Sequence, residues 1–198
     1  MSELGCAVAT LEAGGLLVYP TETVYGIGTS LSSGEAGVQR VRAAKRSPVN
    51  RPFLLLAATS AEAFSLWSEV PPAARSLADE AWPAPLTIIG PARDGLPRGV
   101  LGEGPSGQPS VAVRVPGDPW LLSLLVALGE PLLSTSANLA GGEPPRRFVD
   151  IALGALAPDL AIDRGDCVGG LPSTLVCCLE GVRVLREGGY STTSTSGA

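Results

Sequence analysis

Hydrophobic positions along this chain fall into short runs separated by segments in which apolar residues recur at helical spacing. Leu16 to Tyr19 is the first run, cut off by Pro20. The LLL of RPFLLLAAT, the TIIG of WPAPLTIIGPA, SVAVRV, the PLL before STSAN and the LVCCL after PST follow, and each reads as a strand. Helices are expected between them: a short one around residues 5 to 13, and SSGEAGVQRVRAAKR with Ser33 as its N-cap. Further along come a helix capped by Ser60 and running through Trp67, and PPAARSLADEAW with proline near its start. GDPWLLSLLVALGEP is the most strongly marked, with Asp118 as N-cap, Pro119 as first helical residue and Gly129 as C-terminal stop. Residues 92 to 109 read as a long glycine- and proline-rich loop, 147 to 156 as a late helix, and AIDRG and VRVLREG complete the alternation. The pattern predicts one α/β domain, with residues 189 to 198 an unfolded low-complexity tail.

A length of 198 residues suits a single domain able to bury a core without staples. No apolar run approaches the roughly 20 residues of a membrane span, and no basic leader precedes one, so a cytoplasmic chain with no membrane contact is expected. Cys6, Cys167, Cys177 and Cys178 lack a CxxC spacing and read as buried or incidental thiols rather than zinc ligands or disulfides. There is no histidine, which removes Ser-His-Asp and Cys-His nucleophilic catalysis and every histidine metal site. Of 14 basic residues, Lys45 alone is lysine.

The polar residues gather at strand ends, where α/β sheets place their ligands. PTET follows LLVY, STSAN follows PLL, and PST precedes LVCCL. Each alone is ordinary turn vocabulary. Beside them, residues 36 to 61 carry Arg40, Arg42, Lys45, Arg46 and Arg51 with no carboxylate, a local reversal of sign in a chain of net charge -5. Arg40 and Arg42 read as a solvated helix face. Lys45, Arg46 and Arg51 sit where that helix gives way to the proline-bounded KRSPVNRP, a placement suited to a polyphosphate. Arg114, inside SVAVRVP, either snorkels to solvent or grips a carboxylate from a crevice. Neither a GxxxxGK[ST] loop nor a complete GxGxxG is present.

VYPTETVYGIG, KRSPVNRP, WPAPLT, SVAVRVP, STSANLAG, PSTLV and VLREG occur in the order found in the YrdC-like threonylcarbamoyl-AMP synthases, and from about residue 12 to 188 the chain resembles the short single-domain bacterial form of that family. The resemblance implies a twisted mixed sheet flanked by helices around a basic cavity, in a single domain spanning residues 1 to 188. It also implies an enzyme that joins L-threonine, bicarbonate and ATP, with Mg²⁺, into threonylcarbamoyl-AMP and pyrophosphate, for a downstream tRNA threonylcarbamoyl-transferase complex. Matched position by position, Thr23, Arg114, Ser134 and Ser173 would contact threonine. Lys45, Arg51, Ser110, Ser136, Asn138 and Arg186 would contact the nucleotide, and Lys45 and Arg46 would act at the phosphates. No residue is matched to a metal.

The basic loop departs from the family's Lys-x-Arg, its arginine displaced by one to Arg46, and Cys177 stands where an acidic residue is usual. The resemblance also casts Gly26 and Gly28 as letting the backbone turn beside Thr23. Two other readings stand alongside: a diverged nucleotide-binding paralogue acting on another amine or carbamoyl substrate, and a double-stranded RNA or tRNA-binding module, against which the acidic net charge argues.

Overall fold

The computed structural model describes residues 2–48 and 51–192. Helix α1 (Glu3–Glu12) begins at Ser2, whose hydroxyl accepts from Gly5 N, and leads into β1 (Leu17–Tyr19). After the PTET turn come β2 (Gly26–Ser30), α2 (Gly34–Lys45), β3 (Leu54–Leu56), α3 (Ser60–Phe64), α4 (Pro72–Ala81) and β4 (Leu86–Pro91). The second half contributes β5 (Leu101–Glu103), β6 (Pro109–Arg114), α5 (Pro119–Leu128), β7 (Leu132–Ser136), α6 (Leu153–Leu156), β8 (Leu160–Ala161), β9 (Thr174–Cys177) and β10 (Arg183–Arg186).

These strands make one mixed sheet in the order β10-β9-β4-β6-β3-β7-β2-β1-β8, with β5 on the β6 edge beyond the end of β3. β9–β4, β6–β3 and β1–β8 are parallel pairs and the remainder are antiparallel. Because successive side chains on a strand face opposite ways, one parity of each central strand builds the core and the other is left for a second use. Leu55, Leu86, Ile88, Val111, Val113 and Val176 pack under α2, α4 and the Trp67–Trp82 aromatic pair. On the opposite face, α1 and α5 cover Leu17, Tyr19 and Leu132. That cover ends at Leu56, and beyond it the same face opens as a cavity.

Several expected elements shift. Asp118 caps α5 by accepting from Leu121 N at 2.8 Å, and Gly129 takes the left-handed conformation that ends it, as the sequence indicates. Ser33 stands at the N-cap position of α2 as expected but makes no side-chain cap bond: it ends a 3-10 turn, its hydroxyl already shared with Ser30 Oγ at 2.8 Å and Thr29 Oγ1 at 3.2 Å. Thr59, one residue earlier than Ser60, caps α3, which stops at Phe64 rather than Trp67. The loop expected over 92–109 holds β5, and the helix expected over 147–156 is a 3-10 turn followed by the one-turn α6.

Gly26 and Gly28 do not turn the backbone; both lie in β2. A Cβ on Gly26 would stand 2.8 Å from the Tyr19 ring, and one on Gly28 would stand 2.1 Å from the Leu133 carbonyl oxygen. The two glycines make room for Tyr19 and for the β2–β7 pairing. Residues 189 and 190, expected in the tail, are held by the fold: Gly189 N donates to Pro172 O at 3.0 Å, Thr174 Oγ1 donates to Tyr190 O at 2.6 Å, and Tyr190 packs against the core. Backbone and ring contacts thus tie these residues to β9; from residue 193 the expected tail lies outside the described residues, as do Val49 and Asn50 of the basic loop.

Candidate functional site

The open face of the sheet forms a cavity of about 370 Å³. Its floor is the parity opposite the core: Ala112 and Arg114 of β6, Ser134 and Ser136 of β7, Thr87 and Ile89 of β4, Leu54 and Leu56 of β3, and Leu175 of β9. Thr21 and Thr23 close one end, Arg51 and Arg186 another, and Ser173 stands beside Arg186. A smaller space of about 190 Å³, sharing Arg51 and Ser136 with the first, runs past Lys45 and Asn138. A shallow extension of about 530 Å³ passes Ser110 and Glu103 and joins at Pro52 and Ala112. Thr23, Arg51, Arg114, Ser134, Ser136, Ser173 and Arg186 therefore share the central cavity, with Lys45, Asn138 and Ser110 in its two extensions.

Arg46 is not brought to any of these walls. It is the left-handed residue at the C-terminus of α2 (φ 52°), and its side chain is exposed. At that point the chain is reversing direction, so adjacent Lys45 and Arg46 leave the helix on different sides.

Lys45 is 5% exposed, and its ammonium donates to the carbonyl oxygens of Ser136 and, at 2.6 Å, Asn138. Its own carbonyl accepts from Ala140 N at 2.8 Å. The lysine thus pins the STSAN turn as well as facing the cavity. Burial, with a smaller contribution from the charge of Arg51, pulls its pKa down to about 8. Within the turn, Ser136 Oγ donates to Asn138 Oδ1 at 2.5 Å, and Asn138 Nδ2 is spent on the carbonyls of Leu139 and Gly142. Ser134 Oγ accepts from the buried Tyr19 hydroxyl, whose pKa burial raises, so Tyr19 remains a phenol and Ser134 keeps its own proton for the cavity.

Thr21 shapes the PTET turn. Its hydroxyl donates to Val24 O at 2.7 Å and accepts from the backbone N–H groups of Thr23 and Val24. Thr23 Oγ1 lies 2.8 Å from Thr21 Oγ1 and 3.4 Å from Arg114 Nη1. Arg114 is buried and turned into the crevice, not snorkelling to solvent, and it forms an ion pair with Glu22. Arg186 donates through Nε and Nη2 to Ser173 O at 3.2 and 2.9 Å. Burial, then the charges of Arg51 and Arg114, pushes its guanidinium below the usual arginine value.

Four cations thus border one space. Among the described residues, Glu22 on Arg114 is the one carboxylate within ion-pair distance of any of them. An anion entering here relieves the mutual repulsion of Arg51, Arg114 and Arg186, and the surrounding hydroxyls donate or accept as it requires. No group of three or more cysteine or acidic side chains able to hold a metal occurs among the described residues.

Thr87, Tyr19 and Glu22 belong to the site or its support although the sequence motifs assign them no role. Thr87 is the one polar residue in LTII and takes the cavity parity, a signal present in the strand pattern itself. Its hydroxyl lies 2.7 Å from Ser173 Oγ. Tyr19 and Glu22 were visible only as neighbours of the turn.

The Sua5_yciO_yrdC family, described as "Telomere recombination", matches residues 9–188. The chain is 41% identical over 148 residues to the threonylcarbamoyl-AMP synthase of Xanthomonas euvesicatoria pv. vesicatoria (strain 85-10), an alignment covering 73% of this chain and 75% of that protein. It is similar to P. abyssi Sua5 complexed with L-threonine, with a TM-score of 0.84 and 30% identity over 93% of this chain, although it spans only about half (54%) of that longer protein. E. coli YciO superposes with a TM-score of 0.79 at 29% identity, over 93% of this chain and 88% of that one. A match along nearly the whole chain, repeated in sequence and in fold, makes this protein a member of the Sua5/YciO/YrdC family.

Proposed function

We propose that this chain is an L-threonylcarbamoyladenylate synthase, a nucleotidyltransferase that uses L-threonine, bicarbonate and ATP. The observation that carries the reading is the placement of Arg51, Arg114 and Arg186 around one hydroxyl-lined cavity, with Lys45 in the adjoining space and, among the described residues, a single neutralising carboxylate. Such a site takes two anions side by side: an amino-acid carboxylate and a polyphosphate. Relatives named threonylcarbamoyl-AMP synthase and a neighbour holding L-threonine support those identities.

In this reading threonine lies in the central cavity, its carboxylate on Arg114 and its hydroxyl among Thr23, Ser134 and Ser173. Its amine and bicarbonate condense to an N-carboxylate with loss of water. One carbamate oxygen then attacks the α-phosphorus of ATP, a new P–O bond forms, and the bond to pyrophosphate breaks. The attacking group is already an anion, so the absence of histidine is no obstacle. Alignment and charge neutralisation carry the barrier. Lys45, Arg51 and Arg186 border the side on which the triphosphate would lie, and the Ser136–Asn138 turn holds the Lys45 ammonium there through its carbonyls. Mg²⁺ would enter with ATP and supply further positive charge at the phosphates. Among those residues no helix is long and apolar enough to cross a membrane. A cytoplasmic enzyme handing its labile adenylate to a tRNA threonylcarbamoyl-transferase complex completes the proposal.

The test is pyrophosphate release with ATP, Mg²⁺ and bicarbonate in the presence of L-threonine, L-serine or no amino acid. Threonine-dependent release supports the synthase. Nucleotide binding without stimulation by any amino acid would overturn it.

A further inference from the structure

The carboxylate behind Arg114 has no place in the reaction just described. Glu22 does not line the cavity. Its Oε1 accepts the backbone N–H of Gly117 at 2.7 Å and contacts Arg114 Nη2 as an ion pair, leaving Nη1 directed at Thr23 Oγ1, 3.4 Å away. The backbone fixes Glu22 in turn: its carbonyl accepts from Gly169 N at 3.0 Å and the Thr23 carbonyl accepts from Gly170 N at 3.1 Å. A Cβ on Gly169 would lie 2.3 Å from the Glu22 carbonyl oxygen, so that approach demands glycine.

The pair is poorly satisfied as a stabilising element. Glu22 Oε2, Arg114 Nε and Arg114 Nη2 are buried without a hydrogen-bond partner among the described residues, so the contact of Nη2 with Glu22 is one of charge alone. A buried ion pair contributes little net stability even when well satisfied, and less when valences are left open. What this pair does fix is direction. The short β1–β2 turn and the segment before α5 meet at Glu22, and the guanidinium plane of Arg114 is held between them.

We propose that Glu22 is a positioning residue for amino-acid recognition, holding Nη2 of Arg114 so that Nη1 and the Thr23 hydroxyl face the incoming carboxylate together. The proposal rests on the reading that Arg114 receives that carboxylate. Freed from Glu22, the guanidinium can rotate about its long stem, and threonine must pay to order it at each binding event. In the proposed reading the nucleotide contacts are on Lys45, Arg51 and Arg186, none of which forms a hydrogen bond or ion pair with Glu22 or Arg114 among the described residues.

Steady-state pyrophosphate release by wild type, E22Q and E22A, titrating threonine and ATP separately, tests this. The expected result is a KM for threonine raised about tenfold in E22Q and further in E22A, with the KM for ATP within about twofold of wild type. An unchanged threonine KM in E22Q, or equal rises for both substrates, would overturn the proposal. If E22A does not fold, E22Q decides alone, because its amide oxygen keeps the Gly117 bond while the charge that holds Arg114 Nη2 is lost; an E22Q chain that also fails to fold marks Glu22 as merely structural and overturns the proposal too. A wild-type protein without threonine-dependent release removes the reading beneath it, whereas a threonine-dependent wild type with an indifferent E22Q removes this proposal alone.

Discussion

At pH 8 the buried Lys45 amine is close to half protonated, since burial and Arg51 bring its pKa to about 8. A phosphate placed about 4 Å from Nζ interacts with the ammonium by about 4 kcal/mol at an effective dielectric of about 20. That equals about three pKa units, enough to hold the bound-state lysine fully charged across the accessible range. Nucleotide binding must therefore take up protons: about 0.1 per site at pH 7, about 0.5 at pH 8 and about 0.9 at pH 9. Above pH 8 the apparent affinity then falls by up to about tenfold per pH unit, because each binding event draws a proton from a scarcer supply. Isothermal titration of a non-hydrolysable ATP analogue in two buffers of different ionisation enthalpy, at each pH, reads the uptake directly. The K45M variant should bind without the rising uptake. Uptake that stays flat from pH 7 to 9, or that persists in K45M, would refute the placement of Lys45 at the phosphates.

The same lysine makes a prediction for the free protein. Its folded pKa lies below the unfolded value of 10.5, so between about pH 8 and pH 10 the unfolded chain binds more protons and stability rises with pH, by about 2 kcal/mol across the window; denaturant melts should lose that slope in K45M. Arg51→Ala should weaken ATP-analogue binding at least about tenfold while leaving apo stability within about 0.5 kcal/mol, since among the described residues its side chain has no carboxylate partner and repels Arg186. Gly28→Ala should prevent folding or cost more than about 3 kcal/mol in denaturant melts, its Cβ being directed at the Leu133 carbonyl 2.1 Å away. Thiol titration of the native protein should modify Cys6 first, with buried Cys167, Cys177 and Cys178 reacting on unfolding.

The chain by itself determined what depends on neighbours a few residues apart. The alternation of helix and strand, the Asp118 cap with Pro119 and Gly129, and the placing of hydroxyls at strand ends all follow from local periodicity and turn chemistry. So does the parity of SVAVRV, which sends Val111 and Val113 to the core and leaves Ala112 and Arg114 for the other face. Whether that other face is solvent or cavity is not a local property. Only the strand order, which sets β6 between β4 and β3 and brings β7 and β9 alongside, turned Arg114 from a snorkelling surface residue into a buried cavity wall.

Long-range pairing decided the rest. Lys45 meets carbonyl oxygens 91 and 93 residues further along the chain, and Glu22 meets Gly117 across 95. Arg46, adjacent to Lys45 and chemically as well suited to phosphate, was separated from the cavity by a single left-handed residue at the end of α2, its own. GIG looks like a turn because glycine is the usual residue of turns, yet here the missing side chains accommodate a tyrosine ring and a neighbouring strand. A residue pattern records which conformations a segment tolerates; the register of strands far apart in sequence determines which of them is used.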